Sequence, residues 1–307
     1  MSEDMPPPPS AVKAWATALR PASLVLAVGP VWVGACVVFF QTGEVPAQLT
    51  LMALAAALLM QAITNLQNDA GFTARGCATV GHHSGLPRAT ANAWLSVKTV
   101  RMAIVLLSVI ATALGLSLVM ARGWVVLVLG MSSLVAALAY MGGPKPIAYT
   151  AWGEVTVWVF FGWVAVLGTQ WLLSHQITAL GVLAAQAVGS LSAGALAVNN
   201  QRDRMHDGLV GRRTLAVVLS AKASERVVCA WLCLPFALSV AMALLTTNLL
   251  FLVPLLLLPK AIALMRRLPH CACGSDYNAL LFDVFRLALW YAALLSAVLV
   301  GARSIKT

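Results

Sequence analysis

The sequence predicts an all-α integral membrane protein with about nine transmembrane helices. Of its 307 residues, 61% are hydrophobic and only 10% are charged, whereas soluble domains are about half apolar and about a quarter charged. The core of a single soluble domain could not bury this excess of hydrophobic residues. Apolar runs of roughly 20 residues, the length that crosses the hydrocarbon core, recur at about 22–41, 49–67, 100–121, 123–141, 154–173, 177–199, 227–246, 248–265 and 285–302.

These runs follow one another without a linker that would separate independently folding domains. We therefore expect an N-terminal cytoplasmic tail at 1–21, a single transmembrane domain at 22–303 and a C-terminal tail at 304–307. Residues 1–9 are acidic and proline-rich and contain no basic stretch before an apolar region. This pattern is not that of a cleaved signal peptide, so we expect the first apolar run to remain as an anchor.

The net charge of +10 could indicate nucleic-acid binding, but membrane topology accounts for it. With the N-terminus in the cytoplasm, three Lys and Arg residues fall outside, namely Arg122, Arg303 and Lys306. The other seventeen fall inside: Lys13, Arg20, Arg75, Arg88, Lys98, Arg101, Lys145, Arg202, Arg204, Arg212, Arg213, Lys222, Arg226, Lys260, Arg266, Arg267 and Arg286. Such an excess is typical of cytoplasmic loops, so no nucleic-acid partner is needed.

Two polar faces end apolar runs on the predicted cytoplasmic side. The first polar face, in residues 65–69, carries Asn65 and Asp69, and the second, in residues 199–207, carries Asn199, Asp203 and Asp207. Side chains four residues apart lie on the same side of a helix. Carboxylates near membrane depth are costly and are usually functional. The alternative is that they only cap helices or pair with neighbouring arginines, and two matching faces favour function.

Carboxylate and amide oxygens suit Mg²⁺, which binds through one or two carboxylates together with substrate phosphates. Arginine and lysine side chains can hold the phosphate oxygens, arginine in bidentate fashion. The basic residues near the two faces are Arg75, Arg88, Arg202, Arg212, Arg213 and Lys222. Together these features predict a lipid diphosphate as substrate, with its tail among the helices and its headgroup in a central cavity open toward the cytoplasmic side.

The sequence resembles the UbiA superfamily of intramembrane prenyltransferases, and within it the 1,4-dihydroxy-2-naphthoate prenyltransferase branch of menaquinone synthesis. The resemblance runs along the whole chain. Its motifs are Leu19-Arg20-Pro21, the first polar face, Gly153-Glu154, Val159-Phe160-Phe161-Gly162-Trp163, Val166-Leu167-Gly168, the second polar face and Gly211-Arg212-Arg213-Thr214-Leu215-Ala216.

The resemblance implies transfer of a polyprenyl group from an allylic diphosphate to an aromatic acceptor in a bacterial inner membrane. Loss of diphosphate would leave an allylic cation, which an electron-rich ring carbon attacks, and in this branch the ring also loses its carboxylate. Asp69, Asp203 and Asp207 would be catalytic and would hold Mg²⁺ together with Asn65 and Asn199. The diphosphate would be bound by Asn65, Asn199, Arg75, Arg88, Arg202, Arg212, Arg213 and Lys222.

The chain also departs from the family pattern. Phe72 and Ala78 stand where carboxylates are usual, and Thr150 stands where an arginine is usual. His82 and His83 could supply alternative ligands or a base. The missing carboxylates leave open a non-catalytic relative that binds isoprenoids or partner proteins.

Two other classes of membrane protein are weaker alternatives. A CDP-alcohol phosphotransferase would need two further aspartates within about one or two helical turns after Asp69, and none follow there. A transporter commonly has internal repeats and a site near the bilayer midplane, whereas both polar faces here lie at helix ends on one side.

Overall fold

The computed structural model describes residues 9–80 and 85–306, with side chains described as far as 304. Throughout those residues the chain consists of helices and connecting loops, without strands. The membrane class predicted from composition is confirmed, because eight helices within the described residues are long and apolar enough to cross a bilayer.

The helices follow one another in the order of the predicted apolar runs. In chain order they are α1 (Ala11–Leu19), α2 (Pro21–Thr42), α3 (Ala47–Ala74), α4 (Val97–Arg122), α5 (Trp124–Ala139), α6 (Gly153–Ser174), α7 (Ala179–Leu209), α8 (Leu215–Val218), α9 (Ala221–Thr246), α10 (Leu249–His270) and α11 (Gly274–Lys306). The apolar helix α5 has 16 residues, a length of about 24 Å at 1.5 Å per residue. It is shorter than a typical span, so the count of nine stays a prediction.

Both helices that carry the polar faces extend further than the sequence predicts. The apolar run at 49–67 belongs to α3, which continues to Ala74, and the run at 177–199 belongs to α7, which continues to Leu209. The connections that follow these two helices therefore begin later than the ends of the apolar runs indicate. The polar residues of these extensions find hydrogen-bond partners within the protein, so the helices need not end where the apolar runs end.

Helix α1 lies within the predicted N-terminal tail, so that segment is partly structured. Ser10 caps its first turn, since the Ser10 Oγ accepts a hydrogen bond from the backbone N–H of Lys13 at 3.4 Å. Ala14 and Ala18 are buried, and Ala18 packs in one cluster with residues of α3 such as Ile63 and Leu66. The end of α1 is thereby fixed beside the first polar face.

Helices α6 and α7 cross in backbone contact through two glycines. A Cβ atom on Gly189 would lie 2.7 Å from the Gly162 Cα and 2.7 Å from the Trp158 carbonyl oxygen. Small residues allow such close crossings between helices in lipid. The segment Val159–Leu167 of α6 is a π-helix, a distortion that is frequent at functional sites. It brings Phe160 and Phe161 to the wall of a central cavity.

Two apolar clusters flank this cavity. The larger joins residues of α2, α6, α7, α9, α10 and α11, and the smaller joins residues of α1, α3, α4 and α5. The cavity is lined from both clusters, for example by Ala137 of the smaller and Ala195 of the larger. Helices α3 and α7 place their polar ends at the same end of this cavity, where the Phe72 ring stacks on the His206 ring with centroids 5.6 Å apart.

Candidate functional site

The central cavity is a largely apolar space of about 570 Å³ with a polar end. Phe160, Phe161, Phe282 and Phe285 contribute to its apolar wall. Its polar end is lined by Arg20, Ser23, Gln61, Asn65, Asn68, Arg88, Tyr140, Asn199 and Arg212. This is the shape of a site for an amphipathic ligand that has an apolar tail and an anionic head.

The carboxylate of Asp69 is fully buried and holds the loop that follows α3. Its Oδ2 accepts a hydrogen bond from the backbone N–H of Ala89 at 2.9 Å. Its Oδ1 accepts from the backbone N–H of Thr90 at 2.9 Å and from the Thr90 hydroxyl at 2.6 Å. Because a carboxylate has about four acceptor positions, these three bonds leave little room for a metal. Metal ligation by Asp69 stays a prediction.

Arg88 lies next to this anchored loop and is almost completely buried at the polar end of the cavity. Its guanidinium carbon is 3.9 Å from the centre of the Phe72 ring, a cation–π contact. One terminal nitrogen donates to the backbone carbonyl of Asn68 at 3.2 Å and to its Oδ1 at 3.3 Å. Phe72, which stands where the family has a carboxylate, thus supports a cation.

Asn65, the other member of the first polar face, holds the junction between α1 and α2. Its Nδ2 donates to the Leu19 carbonyl at 2.7 Å and to the Ser23 hydroxyl at 2.9 Å. Its Oδ1 accepts a hydrogen bond from Gln61 at 3.1 Å. The junction residue Arg20 has φ 51°, in the left-handed region, where a residue other than glycine is uncommon.

Arg20 is a site residue for which the sequence indicates no binding role, since it counts only among the cytoplasmic charges and in the Leu-Arg-Pro motif. It lines the polar end of the cavity beside Arg88. Among the described residues, the Nε atoms of both arginines are buried and have no hydrogen-bond acceptor. The only sequence signal was the position of Arg20 in Leu-Arg-Pro directly before the first apolar run. Linear spacing could not show that α1 and α2 turn it toward residues of α3 and α7.

The second polar face is built from two buried ion pairs. The guanidinium of Arg202 donates to both carboxylate oxygens of Asp203 at 2.7 Å, and it also donates to Asn199 Oδ1 at 2.9 Å and Asn278 Oδ1 at 2.7 Å. Asp207 Oδ1 accepts from Arg212 at 2.7 Å. Within the described part of the chain, Asp207 Oδ2 has no hydrogen-bond partner. A buried acceptor without a partner is costly, and a cation could satisfy it.

The cavity brings together only some of the predicted phosphate-binding residues. Asn65, Arg88, Asn199 and Arg212 line it, whereas Arg75, Arg213 and Lys222 are exposed and do not. Arg75 instead donates to the carbonyls of Met141 and Gly143. The guanidinium of Arg202 is engaged with Asp203, Asn199 and Asn278. His82 and His83 lie outside the described residues.

The pKa values of Arg20 and Arg88, at the polar end, are lowered by their surroundings. Burial, together with the nearby positive charge of Arg20, lowers the pKa of Arg88 to about 9. Burial also lowers the pKa of Arg20 from its ordinary value. Both pKa shifts indicate that positive charges are held away from water at one end of the cavity, and a bound anion would stabilise them.

Fold and site together define a multi-pass membrane protein that encloses an apolar cavity with a cationic end. Residues 27–289 match the UbiA prenyltransferase family. The chain belongs to this family and is a prenyltransferase, as its motifs predicted.

Curated relatives and solved structures agree with this assignment. The chain is 30% identical over 286 residues to a 1,4-dihydroxy-2-naphthoate octaprenyltransferase of Mycobacterium leprae, covering 92% of this chain and 95% of the relative. It is 31% identical over 226 residues to the protein of that name from Escherichia coli, covering 71% and 72%. The structure of a UbiA homolog from Archaeoglobus fulgidus bound to DMAPP and Mg²⁺ matches with a TM-score of 0.67 and 13% identity, covering 93% of this chain and 99% of that one.

Proposed function

We propose that this protein transfers a polyprenyl group from an allylic prenyl diphosphate to 1,4-dihydroxy-2-naphthoate or a closely related aromatic acceptor in the membrane. In this reaction the bond between the prenyl carbon and the diphosphate oxygen breaks, and the diphosphate leaves with the electron pair. A ring carbon of the acceptor then attacks the allylic cation and forms the new carbon–carbon bond, and the ring becomes aromatic again by losing a proton or, in the naphthoate, its carboxylate as CO₂. The names of the relatives suggest the acceptor.

One observation carries the proposal: an apolar cavity ends in a cluster of three guanidinium groups, two of which belong to buried arginines. Arg20, Arg88 and Arg212 line this end, and guanidinium groups match phosphate oxygens in geometry and charge. They would stabilise the negative charge that develops on the leaving diphosphate. The apolar wall, including Phe160 and Phe161, would hold the prenyl chain and keep water from the allylic cation.

We place the proposed divalent cation, Mg²⁺, at the second polar face. Asp207 has a free buried oxygen, and Asn199 faces the cavity. Asp203 adds carboxylate charge next to Asn199, whose Nδ2 donates to Asp203 Oδ2 at 3.4 Å. Asp207 would hold Mg²⁺ with its free oxygen, whereas both Asp203 oxygens accept hydrogen bonds from Arg202. The remaining ligands would come from water and diphosphate. When bound, the metal would neutralise charge on the leaving group.

We also propose that the protein lies in the bacterial inner membrane with its N-terminus in the cytoplasm. The support is the seventeen-to-three asymmetry of Lys and Arg between the two predicted sides. In this orientation α3 and α7 both end on the cytoplasmic side, so the cationic end of the cavity would open toward the compartment that supplies a charged acceptor.

The test is a transfer assay with membranes that contain the full chain. Labelled prenyl diphosphate, Mg²⁺ and a panel of aromatic acceptors are incubated with the membranes, and lipid-soluble products are separated. Prenylated naphthoate product is expected. If the protein binds prenyl diphosphate but no acceptor yields product, the non-catalytic, isoprenoid-binding alternative is correct instead. Movement of an unaltered solute across liposomes would indicate a transporter.

A further inference from the structure

The first polar face uses its oxygen atoms for the protein's own structure. Both carboxylate oxygens of Asp69 accept hydrogen bonds from Ala89 or Thr90. Asn65 Oδ1 accepts from Gln61. Phe72 and Ala78 add no oxygen ligands. A second metal therefore lacks a set of oxygen ligands at this face.

Each member of this face instead fixes a segment that carries one arginine. Asn65 binds the Leu19 carbonyl and the Ser23 hydroxyl, on either side of Arg20. Asp69 binds the backbone of the two residues that directly follow Arg88. The Phe72 ring also contacts the Arg88 guanidinium, whose central carbon is 3.9 Å from the ring centre. The Asn and Asp side chains of the first polar face thus hold the two segments that carry Arg20 and Arg88.

We propose that in this protein Arg20 and Arg88, positioned by Asn65 and Asp69, take the place of a metal ion at the first polar face. The diphosphate then contacts guanidinium groups on the α3 side and a single divalent cation on the α7 side. Asn65 and Asp69 are positioning residues in this arrangement. This inference rests on the proposed function, since it assumes a diphosphate ligand at the polar end of the cavity.

The physical basis is charge and hydrogen-bonding capacity. A guanidinium cannot follow the ligand geometry of Mg²⁺, but it provides fixed donors that match phosphate oxygens. Two guanidinium groups bring the same formal charge of +2 as one Mg²⁺ ion. Both arginine side chains line the polar end of the cavity, where their positive charge would attract the diphosphate. If the two guanidinium groups take the place of a metal ion, part of the affinity for diphosphate should be independent of divalent cations.

The first measurement is binding of inorganic pyrophosphate to the purified full chain in detergent, with EDTA present, by isothermal titration calorimetry. Wild-type protein should bind pyrophosphate without metal, and Arg88→Met should weaken this binding by about tenfold or more, the effect of losing one or two charge-assisted hydrogen bonds. Arg101→Met is the matched control, because Arg101 is exposed at the start of α4 and does not line the cavity. Absence of metal-free binding to the wild type would overturn the inference.

The second measurement counts metal ions with Mn²⁺, whose EPR signal reports both bound ions and Mn–Mn coupling. In the presence of pyrophosphate we expect one Mn²⁺ per chain and no dipolar coupling. The Asp69→Asn variant should still bind one Mn²⁺ ion but should bind pyrophosphate more weakly in the absence of metal. The Asp207→Asn variant should lose the bound Mn²⁺ ion. Two coupled ions in wild-type protein would overturn the inference even if a variant fails to fold, and would leave the proposed function intact. If pyrophosphate binds neither with nor without Mn²⁺, both proposals fail.

Discussion

At the scale of single residues, Asp207 is a buried carboxylate of the second polar face that still has an unpaired oxygen. One oxygen is paired with Arg212 at 2.7 Å, and the other has no hydrogen-bond partner in the described structure. Asp207→Asn keeps the shape but removes the charge, so we expect the rate of prenyl transfer to fall by about 100-fold or more, as when one electrostatic contact to a transition state is removed. The rate is measured in the transfer assay at saturating Mg²⁺.

The matched control for this variant is Asp283→Asn. Asp283 forms surface ion pairs with Arg267 and Arg286, and such pairs contribute little to stability. Its rate should stay within about twofold of the wild type, because surface substitutions rarely alter a fold. If Asp207→Asn retains the wild-type rate while its fold is intact by thermal unfolding, Asp207 is not a metal ligand.

Arg88 should make substrate binding depend on pH. Its pKa, lowered by burial to about 9, means that the free protein loses this positive charge as pH rises through 9, whereas an ordinary arginine would keep it. Phosphate binding favours the protonated form, so the KM for prenyl diphosphate should be constant below pH 9 and rise above it. The measurement is the KM between pH 7 and about 10, in membranes whose stability over this range is checked separately.

Two variants decide whether Arg88 causes this pH dependence. Arg88→Lys should move the rise in KM to lower pH, because lysine has a lower ordinary pKa and burial would lower it further. Arg88→Met should raise KM at neutral pH and abolish the rise. An unchanged pH profile in Arg88→Met would assign the dependence to another group.

At the scale of helices, the crossing of α6 and α7 depends on the absence of side chains at Gly162 and Gly189. Gly189→Ala would place a Cβ 2.7 Å from both the Gly162 Cα and the Trp158 carbonyl oxygen. Because both obstacles are backbone atoms, the helices must separate, which typically costs about 1–3 kcal/mol. We expect a lower thermal unfolding midpoint in detergent, together with a raised KM, since α6 and α7 both line the cavity.

Gly301→Ala in α11 is the control for the glycine substitution. A Cβ there would meet no atom within 4 Å, and alanine is favoured over glycine in a helix by about 1 kcal/mol. This variant should be as stable as the wild type or slightly more stable. Equal stability of both variants would show that the α6–α7 crossing is not tightly packed.

The sequence predicted the helices and their order but not how the polar residues pair across them. Asp69 is bonded to Ala89 and Thr90, about twenty residues further along the chain, and His206 contacts the backbone carbonyl of Cys77 at 2.9 Å. No periodicity reports such long-range pairs. For the same reason Arg75, Arg213 and Lys222 looked equivalent to Arg88 and Arg212 in the linear pattern, although only the latter two line the cavity.

At the scale of the whole molecule, the two polar faces belong to helices on different sides of the cavity. The helices of the smaller apolar cluster carry the first polar face, and α7 of the larger cluster carries the second. Hydropathy could predict the membrane class and most spans, because length and composition determine them. It could not predict the cavity, because a cavity results from packing between helices that are distant in sequence.

The orientation of the molecule can be tested with cysteine labelling. Cys273 is exposed in the connection between α10 and α11, which the charge asymmetry assigns to the cytoplasm. A membrane-impermeant maleimide should therefore label Cys273 in inside-out vesicles and not in intact cells, and Cys271→Ser/Cys273→Ser protein should lose this labelling. In that same protein, Glu44→Cys, placed between α2 and α3, should be labelled from outside. Labelling of Cys273 in intact cells would invert the topology and place the cationic end of the cavity on the opposite side of the membrane.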